Sequence, residues 1–214
     1  MKRLIILALL LAAVTTLEAQ MLKKPTSKNA ERRDMLVAKS DSAFYANDFK
    51  KMRKINKKIA KIVTPDYAGF VYVQYGWVLL TDELNKDKKD NVNRAIKEFK
   101  RAIKLYSSSQ WGYLSLGNVY YKLGVEAMAN ANELPTEQYN AEREKAKEYF
   151  RQALPLIEKA DKIDKSEGHL VNDGILQILR TIYYTLEMND KFFEIEQLIE
   201  ESKHLEELYH LNEQ

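Results

Sequence analysis

The chain has 214 residues, with 34 Lys or Arg against 31 Asp or Glu and a formal net charge of +3 at pH 7. It contains no cysteine, which excludes disulfides, thiol chemistry and thiolate metal sites. Seven glycines and four prolines leave little turn material, so the composition favours long helices joined by short links.

The first element is expected to lie outside the fold. Lys2 and Arg3 form a basic start, Leu4 to Val14 an apolar run, and Thr15 to Ala19 leads to a cleavage point. That is the pattern of a secretory signal peptide, and the run is shorter than the roughly 20 apolar residues of a spanning helix. The expectation is a signal peptide over 1–19 and an exported chain, periplasmic or secreted. Residues 20–29 read as a linker.

Residues 30–66 are expected to form a helix pair whose second helix is basic. Phe49, Met52, Ile55, Ile59 and Ile62 make its apolar side. Lys50, Lys51, Arg53, Lys54, Lys57, Lys58 and Lys61 make the other, with no acid among them. Residues 67–107 read as a second pair and 108–165 as a third with a long helical insertion. In that third pair the first helix runs on through Val125–Asn132, and Pro135-Thr136 starts a second reaching about Asp161. The extended ends are expected to project from the rest.

Residues 168–202 read as a closing pair and 203–214 as an acidic tail. Ile175, Ile178, Leu179, Ile182, Tyr183 and Leu186 recur at helical spacing on one face. Asn172 or Asp173 can cap this helix, since a short side-chain oxygen accepts from free first-turn N–H groups. Asn189-Asp190 offers a turn and a new cap. Phe192, Phe193, Ile195, Leu198 and Ile199 are expected on the buried side of the last helix.

Two patterns recur in the same order. Tyr72-x-x-Tyr75-Gly76-x-x-Leu79 matches Tyr113-x-x-Leu116-Gly117-x-x-Tyr120, and Ala95-x-x-x-Phe99-x-x-Ala102 matches Ala146-x-x-x-Phe150-x-x-Ala153. Gly and Ala at these offsets let paired helices approach closely. These residues resemble tetratricopeptide repeats, with aromatic-x-x-Leu-Gly-x-x-Tyr on the first helix and Ala-x-x-x-Phe on the second. Asn47-Asp48-Phe49 and Thr64-Pro65 resemble that family's turn and closing proline in a degenerate earlier copy, and Tyr183 to Leu186 a closing one. The combination is similar to exported tetratricopeptide proteins of Bacteroidetes-type bacteria. The resemblance implies an all-α fold: a TPR-like α-solenoid of about four antiparallel helix pairs with extended middle helices. One departure is the distance of 41 residues from Gly76 to Gly117, against about 34 in a regular repeat; the excess is assigned to a charged loop at Asn85–Asn91.

In this family the face lined by the first helices binds an extended peptide or partner helix. Here it would carry Phe70, Val73, Trp77 and Leu80, then Trp111, Leu114, Asn118 and Tyr121, then Gln177, Thr181 and Tyr184, with Val37, Asp41 and Phe44 from the first pair. Trp and Tyr suit protein recognition. One subtype grips a C-terminal carboxylate on this face; Asn118 fits that mode, but Leu114 stands where a Lys would be expected.

The basic helix has three candidate partners: anionic lipid or lipopolysaccharide, nucleic acid, or an acidic protein surface such as the C-terminal helix of another copy. Nucleic acid is disfavoured by the absence of a recognition motif and by export. Residues 20–66 carry 13 Lys/Arg and 5 Asp/Glu, and residues 187–214 carry 2 and 9. Opposite ends of opposite sign are compatible with a homo-oligomer built end to end.

Nothing points to catalysis or a cofactor. No phosphate-cradling glycine spacing occurs. His169, His204 and His210 form no metal motif, and no carboxylate stands conspicuously in an apolar stretch. The sequence therefore reads as a binding or assembly module, not an enzyme.

Overall fold

The computed structural model describes residues 27–46, 48–81, 88–167 and 172–211. The expected signal peptide and most of the linker lie outside these residues, as do Asn47, residues 85–87 of the expected charged loop, and His169. The described residues form helices joined by short turns, with no strand. Helices α1 (Ser27–Tyr45), α2 (Phe49–Ile59), α3 (Pro65–Thr81) and α4 (Lys88–Leu105) lie in one compact unit, Met1–Ser107. Helices α5 (Gln110–Ala131), α6 (Thr136–Ser166), α7 (Asp173–Thr185) and α8 (Asn189–Leu211) lie in a second, Ser108–Gln214. The fold class is all-α, of TPR-like α-solenoid type, with two helix pairs in each unit.

Local chemistry sets the helix ends. Asp48 caps α2 by accepting from the Lys51 amide at 2.9 Å, and Asn172 caps α7 by accepting from the Ile175 amide at 3.3 Å. Pro65 opens α3, where a missing N–H is harmless. Helix α7 ends with Glu187 at φ 61°, and the Met188 amide donates back to Tyr183 O at 2.9 Å. This left-handed closure is usually taken by Gly or Asn.

In the first unit α1 packs on α2, α2 on α3 and α3 on α4. Tyr72, Tyr75, Leu79, Ala95 and Phe99 are fully buried. Gly76 faces the Phe99 ring, so that a β-carbon there would lie 2.4 Å from Cε1. In the second unit α5 packs along α6, α6 on α7 and α7 on α8. Its core joins Ala153, Ile157 and Ala160 of α6 to Ile175, Leu176, Leu179 and Ile182 of α7 and Ile195 and Ile199 of α8.

The second pair of motifs needs a correction in register. Gly117 faces Ile157, not Phe150, and Phe150 faces Gly124. The structural counterparts of Ala95, Phe99 and Ala102 are therefore Ala153, Ile157 and Ala160. The Ala146, Phe150, Ala153 match lies one heptad earlier on α6. Gly76 and Phe99 are 23 positions apart, while Gly117 and Ile157 are 40 apart. The α5–α6 hairpin is longer because both helices continue at their joined ends. Gly124, Ala127, Ala131, Ala146 and Phe150 extend the same small-against-large packing along it.

Three further expectations are changed. The segment Lys88–Asn91, assigned to a charged loop, is the first turn of α4, with Asn91 buried. Helix α6, expected to reach about Asp161, runs on to Ser166; Pro155 within it is exposed, and the buried line through Ala153, Ile157 and Ala160 holds the helix on both sides of the proline. Residues 203–211, read as a tail, continue α8.

Candidate functional site

In the first unit the anticipated stripe is mostly packed. Val73 is buried, Phe70 and Leu80 are half-buried, and the half-buried Trp77 ring stands edge-on to Phe99 at 5.8 Å. Helix α3 is apolar on nearly every face, so no polar side marks where packing ends. Val37 and Phe44 on α1 are half-buried and Asp41 is exposed.

The second unit keeps an open face. Trp111 is 43% exposed and Tyr184 71% exposed, and Gln177 is also exposed. Leu114 and Tyr121 are half-buried against the core, and the Tyr121 ring lies 5.9 Å from Phe150. Asn118 is half-buried beside them on α5. The Tyr121 hydroxyl donates to Thr181 Oγ1 at 3.5 Å, and Thr181 donates to the Gln177 carbonyl at 3.0 Å. The first bond links α5 to α7, and the second lies within α7.

The face ends in an aromatic cluster that the sequence pattern misassigned. Phe193 is 67% exposed, not buried. Its ring lies 5.6 Å from that of Phe192, which lies 5.7 Å from Tyr184. Residues 192, 195 and 199 share one helical line, and 193 stands about 100° off it, the rotation per residue that could have placed it outside.

Two ionic groups brace this end. Glu187 accepts from Lys147 at 3.0 Å and lies 4.0 Å from Arg143, tying the α7–α8 turn to the extended part of α6. The Lys147 hydrogen bond, then the Lys147 and Arg143 charges, hold the Glu187 carboxyl below its usual range. Glu158 accepts from Tyr183 at 2.8 Å and from Lys191 at 2.6 Å, linking α6, α7 and α8. Burial first, then the bond to Glu158, raises the Tyr183 hydroxyl far above its ordinary value.

Helix α2 presents Lys50, Lys51, Lys54, Lys57 and Lys58 to solvent, and Lys61 follows just beyond its end. Arg53 does not belong with them. Its guanidinium lies 3.3 Å from Glu98, whose side chain is only 5% exposed. Glu98 is thus a buried carboxylate, and its cation comes from a helix 45 positions away. Arg101 stacks 4.4 Å from the centre of the neighbouring Tyr72 ring. Burial raises the Tyr72 hydroxyl, with Arg101 and Arg53 opposing and Glu98 reinforcing.

His204 is exposed on α8. Among the described residues no group of three His, Asp or Glu could hold a metal ion, and no helix is long and apolar enough to cross a membrane.

Close-packed pairs of antiparallel helices, with small residues facing large ones, define a helical-repeat protein. Residues 88–124 match the family model described as TPR repeat. The matched stretch takes α4 and the first two-thirds of α5, the second helix of one pair and the first of the next. The match supports a tetratricopeptide-repeat protein, a class that generally mediates protein–protein interaction and is typically non-catalytic. No curated protein matches the chain.

Proposed function

We propose that the chain is a non-catalytic adaptor of the cell envelope that takes an extended peptide or partner protein on the face shared by α5 and α7. One observation carries this reading. The Tyr121 hydroxyl reaches from α5 to Thr181 on α7, and Trp111 on α5 and Gln177 and Tyr184 on α7 are all exposed. Rigid aromatic side chains give large contact area with little entropy loss. Export rests on the pattern of residues 1–19, and kinship with exported proteins of Bacteroidetes-type bacteria on the motif combination. Capture of envelope proteins by the native chain and by the Trp111→Ala/Tyr184→Ala variant tests the proposal. Equal capture by the folded variant would sink it.

A second reading is favoured by the lysine face of α2. It makes the chain a structural or membrane-surface component that meets anionic lipid, or another copy, through charge. Co-sedimentation with anionic vesicles, lost on reversing Lys54, Lys57 and Lys58, would support lipid contact. Undiminished binding by the reversed variant would remove it.

A further inference from the structure

Helices α2 and α8 are each the second helix of their pair, and they carry one positional pattern in opposite chemistry. In α2, Lys50, Lys51, Lys54, Lys57 and Lys58 stand at i, i+1, i+4, i+7 and i+8. In α8 the same offsets hold Phe193, Glu194, Gln197, Glu200 and Glu201. At about 100° per residue, each set covers roughly a third of its helix surface. All ten residues are exposed.

The two faces are complementary in charge, and on α8 the Gln197 amide donates to Glu201 at 2.9 Å. The α2 face is entirely cationic, with its one arginine turned inward to Glu98. The α8 face offers three carboxylates, one amide and the exposed Phe193 ring, continued through Phe192 to Tyr184. Carboxylates pair with ammonium groups, and the faces of Phe and Tyr rings attract them. We propose that the exposed face of α8 docks the lysine face of α2 from a second copy of this chain. The inference rests on the second reading above and names the partner for its charged ends. Because the two surfaces differ, the contact is heterologous and repeats from copy to copy. Exposed ion pairs are individually weak, so the association depends on concentration and salt.

The test is a charge swap. Glu194→Lys/Glu201→Lys gives a chain with two basic faces, and Lys54→Glu/Lys58→Glu blunts the lysine face with acid. Sedimentation is read for the native chain, each variant and their equimolar mixture, with circular dichroism confirming helicity. The native chain should associate at about 0.05 M NaCl and dissociate at about 0.5 M, as screened contacts do. Each variant alone should associate at least about tenfold more weakly, and the mixture should regain association. Phe193→Ala should weaken the native chain while preserving its salt dependence. Variants that associate as the native chain does, or a folded mixture that stays monomeric, would overturn the proposal. Vesicle binding is measured on the same samples. Retained vesicle binding without self-association would reject this docking and leave the lipid reading intact.

Discussion

Gly76 leaves room for the Phe99 ring: a β-carbon on it would stand 2.4 Å from one ring carbon and 2.7 Å from the next. Gly117 plays the same part opposite Ile157, where the nearest atom is Cδ1 at 2.5 Å. A ring cannot bend away, whereas the end of an isoleucine can rotate. Gly76→Ala should therefore destabilise the first unit by about 1–3 kcal/mol, the range for overpacking. Gly117→Ala should cost less. Chemical denaturation of both variants checks the order, and a larger loss at Gly117 would contradict the assigned packing.

The Arg53–Glu98 pair belongs to the first unit's interior and not to the lysine face. Glu98→Ala should cost about 1–2 kcal/mol, less than a fully buried pair because Arg53 keeps part of its hydration. Arg53→Met should lower stability and leave vesicle binding unchanged. A double-mutant cycle in urea would show coupling between the two positions. Additive losses would dissolve the pair.

Tyr183 binds α6 through Glu158 while Lys191 lies 5.2 Å from its ring centre. Tyr183→Phe should cost about 1 kcal/mol, the net value of one hydrogen bond. Thermal unfolding of the variant measures it.

Glu187 is held below its ordinary value of 4.5, first by the Lys147 hydrogen bond. A depressed carboxylate stabilises the fold above its unfolded pKa, and the contribution is lost as pH falls through the folded one. The Lys147–Glu187 link should thus be intact at neutral pH and release in acid. The Glu187 side-chain carbon, followed by NMR, should titrate below 4.5, and Lys147→Ala should move the midpoint upward. An unmoved midpoint would remove the link between the hairpin and the α7–α8 turn.

Periodicity made the helices legible, because burying one face forces apolar residues to recur every three to four positions. The line from Ile175 to Leu186 is of this kind, and the short side chain of Asn172 marked the start of α7. Register was not legible. Ala146 and Phe150 meet the repeat pattern, whereas Ala153 and Ile157 put an isoleucine in place of its phenylalanine, and only the facing glycines mark the second set as the counterpart. Burial by another element was hidden for the same reason. Nothing near Glu98 in sequence announces Arg53, and an all-round apolar helix such as α3 does not say which side stays open. In the second unit, Trp111, Gln177 and Tyr184 stay accessible, while Tyr121, expected on the same face, turns its ring onto Phe150 and its hydroxyl to Thr181.

The binding face itself yields one direct prediction. Trp111→Ala/Tyr184→Ala removes exposed side chains and should leave helicity unchanged while weakening partner capture at least about tenfold. Trp77→Ala and Tyr121→Ala should instead lower stability, since both rings pack on phenylalanines.

The measurement that bears most directly on the adaptor reading is site-specific photo-cross-linking in intact cells. A photoreactive residue replaces Trp111 or Gln177 on the proposed face, or Lys162, exposed on α6, as the comparison position. The account predicts discrete protein adducts from 111 and 177, identified by mass spectrometry, and none of these from 162. Adducts of the same protein from 162 alone, or from all three positions equally, would contradict it.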